Sequence, residues 1–344
     1  MNRKAIYRVI GNTLFLAAII GVAYYLLNNS LKDIVQQIVH TRPLLLVLVI
    51  ALGLGYQLIE GKLTQMIVRT TKDSFSFWDG FWVSNYAAFF RLITFGTGTL
   101  LSELAFYHRR AIHYSESIGI SSLRITIYKL TAFFYAFSCL LVQAPTLLSQ
   151  QKTLFWLILI GCAVTLLLAG SLFFLALNVR FQTWLMKITS NHVHQEKWQN
   201  RLKALNSNID ALRSTMQATL ANHSRCTQLF FISLLKFLFW YSIPFFIFHD
   251  MGKDISWLTA FSLISFATVL AGILPSPGGI GSFDFVFSFL FQPLVGTVAA
   301  ISALLLYRLA TYLLPFSLGF VYVLLEKRQQ IRQEIKEVKL TKEE

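Results

Sequence analysis

Apolar positions along this chain gather into long runs, at about 9–27, 43–61, 75–104, 118–142, 154–178, 226–248, 255–294 and 296–325. Several are about 20 residues long, the length a helix needs to cross a bilayer. Between them lie short loops, one polar stretch at 180–225 and a charged tail from Glu326, read as a helical end without chemistry. The pattern predicts an all-α integral membrane protein, a polytopic helix bundle. The first run follows Arg3, Lys4 and Arg8, as a signal peptide would, but no small-x-small site precedes Asn28. It is therefore read as a retained first span.

Charge gives the runs an orientation. Cytoplasmic loops keep Lys and Arg, and most of the 30 basic residues collect on one side if the N-terminus, 62–74, 105–117, 180–225 and the tail lie inside. The opposite loops hold only Lys32, Arg42, Lys152 and Lys253. This predicts cytoplasmic N- and C-termini. The net charge of +14 is then a topology signal with attraction to anionic headgroups, and no nucleic-acid partner is indicated.

The same topology forces a conclusion about two of the runs. Ser74 and Ala105 both fall inside, yet the roughly 30 residues between them are too few for two crossings of about 20 each. The economical solution is a hairpin that enters and turns back near Phe95 to Thr99. Residues 255–294 require a second one from the opposite side, turning at Pro275 to Gly281. The bundle should therefore contain two inversely oriented re-entrant, broken hairpins. The domain plan is one membrane domain, 1–325, made of two inverted halves, roughly 1–180 and 226–325. A cytoplasmic amphipathic segment, 181–225, joins them, and 326–344 is the tail.

The second turn, LPSPGGIGSFD from Leu274 to Asp284, is the most informative stretch. Broken backbone and charge are tolerated at membrane depth only where protein buries them or water reaches them. Discontinuous helices at matched positions in two halves point to a midplane site. In the first hairpin Gly96-Thr97-Gly98 precedes Glu103; in the second Gly278-Gly279-Ile280-Gly281 precedes Asp284, with Pro275 and Pro277 as structural turn residues. Each carboxylate lies near the start of a returning helix, where it either caps that helix or serves the site.

These motifs resemble the lysylphosphatidylglycerol synthase transmembrane region family. LPSPGGIGSFDFVFSFL followed by ALLLYRLATYLLPFSLG is similar to its C-terminal signature, and FGTGTLLSELAFYHRRAIHYSESIGISSLRITIYKL to its other one. The chain departs from the family at Phe95-Gly96-Thr97, where Pro-Gly-Arg is usual, at Ser102 for Gly, at Phe106 for a basic residue, and at Asp284 for Glu. A site without that arginine is open to a different headgroup. The resemblance implies a flippase-like protein of the bacterial cell membrane. It would move a phospholipid such as lysylphosphatidylglycerol between leaflets, contributing to membrane charge and antibiotic resistance.

The alternatives are a component of lysylphosphatidylglycerol synthesis, working with a separate aminoacyl-lipid synthase, or a non-transporting accessory protein. The longest polar segment is too short for a soluble transferase domain of well over roughly 100 residues, so transferase activity by this chain alone is not expected. A homo-oligomer is compatible with the sequence.

On this reading Glu103 and Asp284 face a cationic or zwitterionic group, and the amides of Gly279, Ile280 and Gly281 face the phosphate. Arg308 either pairs with Asp284 or binds phosphate. Arg124 and Lys129 are either phosphate ligands or partners of Glu103 and Glu60, and Arg91 is a counter-charge or a snorkelling side chain. Lys236 is a weaker candidate. No cofactor is implied, and His192, His194 and His223 lack the companions of a metal site. Trp78, Trp82 and Tyr86 read as an interfacial belt.

Overall fold

A computed structural model describes residues 41–94, 96–177, 221–274 and 281–343, with 37, 39, 207, 209–211 and 213–219 besides. The first apolar run, most of the amphipathic segment and the prolines of the second turn lie outside these residues. Among the described residues the regular structure is helical, and no strand occurs.

The helices are α1 (Pro43–Val68), α2 (Phe77–Ile93), α3 (Thr99–Arg109), α4 (Tyr114–Gln150), α5 (Lys152–Leu177), α6 (His223–Asp250), α7 (Trp257–Ala271), α8 (Ser282–Val295), α9 (Thr297–Arg308) and α10 (Leu314–Glu343). A π-helical turn, Leu309–Leu313, makes α9 and α10 one rod. Among the described residues five helices are long and apolar enough to cross a membrane: α1, α4, α5, α6 and the α9–α10 rod.

The two runs expected to break do so. At 1.5 Å per residue α2 and α3 are about 25 and 16 Å long, and α7 and α8 about 22 and 21 Å, all short of the roughly 30 Å hydrocarbon core. Local chemistry sets their ends. Ser76 Oγ accepts the Asp79 amide (3.0 Å) while Asp79 Oδ2 accepts the Ser76 amide (3.1 Å), a reciprocal cap that starts α2. Ser256 caps α7 through the Thr259 amide at 3.1 Å. Gly96 and Gly281 hold φ of 92° and 96° at the two turns, a region that favours glycine.

In the packing, α1 lies on α6 at the centre. Helix α2 packs on α1, α3 and α10; α7 packs on α6, α8 and α4. Thus α2 leans on α10, far along the chain, and α7 leans back on α4. The α1–α2 crossing is close because both sides are glycine. A Cβ on Gly80 would collide with the Gly61 carbonyl oxygen, and one on Gly61 would stand 2.9 Å from Phe81 Cα. Gly319 of α10 presses on the Asn85 carbonyl of α2 in the same way.

Gly80→Ala and Gly319→Ala should each cost about 1–3 kcal/mol, since the obstacle is backbone that cannot swing aside. Detergent unfolding measures this. Wild-type stability in both variants would disprove the close crossing.

The aromatic belt is corrected in part. Trp78 is exposed, but Trp82 stacks on Tyr322 with ring centroids 5.2 Å apart, and Tyr86 is buried. Tyr86 OH accepts from Arg109 at 3.2 Å. Two of the three rings therefore face protein.

Candidate functional site

Among the described residues the most buried ion pairs form two groups. The larger joins α1, α3, α4 and α6. Glu60 accepts from Lys236 Nζ at 2.8 Å and from Arg124 at 2.6 Å. The other end of the Arg124 guanidinium reaches Glu103 at 3.2 Å, and Ser121 Oγ donates to Glu103 at 2.8 Å. Two acids and two bases thus cancel within one cluster. Lys236, 2% exposed, is the deepest of them, with its ammonium 5.2–5.7 Å from the ring centres of Tyr56, Tyr128 and Phe237.

The smaller group joins α8 to α9. Arg308 Nε donates to Asp284 Oδ1 at 2.6 Å, and a second guanidinium nitrogen contacts Oδ2. Asp284 also accepts the Gly281 amide at 3.0 Å. It therefore caps α8 and anchors it to the α9–α10 rod at once. In the structure Arg308 pairs with Asp284, and the Gly281 amide, expected to face a phosphate, donates to Asp284.

Glu103 differs from Asp284 despite the similar motif. It is the fifth residue of α3, and its carboxylate reaches across to α4 instead of capping its own helix. Turn amides in the first hairpin are also engaged, Gly96 with the Arg91 carbonyl (2.7 Å) and Gly98 with Thr94 Oγ1 (2.8 Å). Pro275, Pro277, Gly278, Gly279 and Ile280 lie outside the described residues.

Two cavities meet at this site. One, about 140 Å³, is lined by Tyr56, Glu60, Arg91, Glu103 and Arg124 among others. The second, about 280 Å³, is lined by Arg91, Lys129, Tyr307, Tyr312 and the start of α8 at Ser282 and Phe283. Arg91, Trp240 and Thr311 border both. The π turn supplies Thr311 and Tyr312 to these walls, and its cause is local. Pro315 offers no N–H to the preceding turn, and the Leu314 amide instead bonds the Leu309 carbonyl, five residues back.

Arg91 and Lys129 stand apart from the other cations. The Arg91 guanidinium lies 5.2 Å from the Tyr312 ring centre, and its Nε is buried without a hydrogen-bond partner among the described residues. Arg308 lies 5.1 Å from the same ring. Lys129 Nζ rests beside α7, where a Cβ on Gly272 would come within 3.0 Å of it.

Sequence reasoning ranked Lys236 low and treated Glu60 only as a partner; the structure puts both at the centre of the larger cluster. The signal was present, since each is a lone charge in an apolar run.

Charge-lined cavities among long apolar helices define a multi-pass membrane protein with polar groups in its interior. The chain belongs to the lysylphosphatidylglycerol synthase TM region family, whose model matches residues 9–319. That places it among membrane proteins of lipid metabolism. No curated protein matches the chain.

Proposed function

We propose that this protein carries a phospholipid headgroup between leaflets of the bacterial cell membrane while the acyl tails stay in lipid. The headgroup is anionic or aminoacylated, lysylphosphatidylglycerol being the case the family description favours. The carrying observation is the Glu60–Lys236–Arg124–Glu103 cluster beside a cavity. Carboxylates are expensive at membrane depth and mark substrate paths there.

In this reading the α2–α3 and α7–α8 pairs are re-entrant hairpins of two inverted halves, entering from opposite faces, with both termini cytoplasmic. Their length supports it, as does the reciprocal packing of α2 on α10 and α7 on α4. Glu103 is the group best placed to meet a lysyl amine. It lines the cavity, and Arg124 keeps Glu60 as a partner if Glu103 lets go.

Reconstitution into liposomes with labelled aminoacyl-phosphatidylglycerol tests the proposal. Leaflet exchange supports it; lysyl incorporation from charged tRNA would instead support a role in synthesis, the reading carried by the family's name. Glu103→Gln is expected to slow exchange at least tenfold, the loss of one charge-assisted contact. The same change should cost only about 1 kcal/mol of stability, because Arg124 stays paired. Unchanged exchange in a folded Glu103→Gln protein would remove Glu103 from the path.

A further inference from the structure

The acids in the described apolar runs are already engaged: Glu60 with Lys236 and Arg124, Glu103 with Arg124, Asp284 with Arg308, and Asp79 with Arg110. Arg91 and Lys129 have no carboxylate partner among the described residues. Both line the 280 Å³ cavity, whose described walls contain no acid. Two positive charges lining one cavity repel each other, and membrane interiors normally pair such charges. Such an arrangement suits an anion.

We infer that this chamber is a phosphate seat, in which Arg91 and Lys129 together hold the phosphate of an anionic phospholipid headgroup or a free phosphate ion. Arg124 and Arg308 do not compete for that role, since their own carboxylates neutralise them. Two helices deliver the pair, Arg91 from the last turn of α2 and Lys129 from the middle of α4, and the π turn adds Tyr312 to the wall. The guanidinium offers a planar fork to phosphate oxygens and the ammonium a point charge.

Tyr128, Tyr307 and Phe283 give the rest of the wall an aromatic, uncharged surface suited to the glycerol backbone beside a phosphodiester. Because Arg91 also borders the smaller cavity, the phosphate and a basic headgroup arm would sit on either side of it. The arm then faces Glu103. This deepens the lipid-headgroup reading above, but its test is binding and not transport.

The full chain in neutral detergent is titrated with dioctanoyl-phosphatidylglycerol, dioctanoylglycerol and inorganic phosphate, with Tm and Kd as readouts. Phosphatidylglycerol should raise Tm, and the diglyceride, with the same tails and no phosphate, should not. Arg91→Gln and Lys129→Gln should each weaken phosphatidylglycerol binding about tenfold and the double variant about 100-fold. Without ligand, Lys129→Gln should melt no lower than wild type, because it removes a charge with no acid beside it among the described residues, while Arg91→Gln, which also gives up the Tyr312 ring, should melt only slightly lower.

Inorganic phosphate binding as tightly as the lipid would support the seat and assign it to the free ion; much weaker binding supports the headgroup. Wild-type Kd in a folded double variant would overturn the inference, as would equal binding of the diglyceride. So would a lower ligand-free Tm with unchanged binding, the signature of a structural role. Wild-type protein that binds phosphatidylglycerol through these residues yet exchanges no lipid would support the seat and defeat translocation.

Discussion

Glu60→Gln is expected to destabilise the protein by about 3–5 kcal/mol, the usual result of removing one partner from a buried ion pair. The carboxylate answers two cations, Lys236 at 2.8 Å and Arg124 at 2.6 Å. With a neutral amide in its place, the Lys236 ammonium, whose side chain is 3% exposed, loses its only ion-pair partner among the described residues. Arg124 retains Glu103, so the deficit falls on Lys236.

The double variant Glu60→Gln/Lys236→Met should recover most of the loss, because it removes one charge of each sign and leaves Arg124 balanced against Glu103. Unfolding in mixed detergent micelles reads both. Full stability in the single variant, or a double variant no better than the single one, would mean that the cluster does not hold these helices.

The second large effect is expected at Asp284. Asp284→Asn removes the carboxylate from a two-pronged contact with Arg308, whose side chain is 10% exposed against 25% for Asp284. The partial exposure sets the cost near the lower end for a broken pair, about 3 kcal/mol. Asparagine can still cap α8 by accepting the Gly281 amide, so the loss is chiefly electrostatic. Asp284→Asn/Arg308→Met should fold nearly as well as wild type while exchanging lipid at least tenfold more slowly, since α8 is no longer tied to the α9–α10 rod. Normal exchange in that folded double variant would make the pair a structural fastening alone. Failure of the double variant to regain stability would mean that the pair is not what holds α8.

The two carboxylates show how far the sequence can be read. Each follows a glycine-rich turn and opens a returning helix, and both were candidates for a headgroup amine or a helix cap. Asp284 is the third residue of α8, close enough to reach back to Gly281, and it caps. Glu103 is two positions further into α3, rotated away from its own N-terminus, and meets α4. That difference follows from helical geometry once the first residue of each helix is known. Run lengths do not supply it, because turn residues and helix starts shift by one or two positions without changing hydropathy.

The amphipathic segment gives a second contrast. Its apolar spacing was legible, but most of it lies outside the described residues. Met216, near its end, is buried and lines one cavity with Leu123 of α4 and Leu229 of α6.

The sequence by itself determined that this chain is a helical membrane protein. Among the described residues it also indicated the long apolar helices, the two runs that break into shorter ones, and the charges that fall within apolar runs. Those properties depend on neighbours along the chain and on the bilayer, which acts as a one-dimensional ruler of roughly 30 Å. Only the tertiary structure decided the pairings. Glu60 meets Arg124 across 64 residues and Lys236 across 176, while Arg308 meets Asp284 across 24. Whether two side chains at similar depth touch depends on which face each helix turns inward and which helix stands beside it. Hydropathy averages that angular information away; packing restores it, and so leaves Arg91 and Lys129 facing a cavity whose described walls hold no acid.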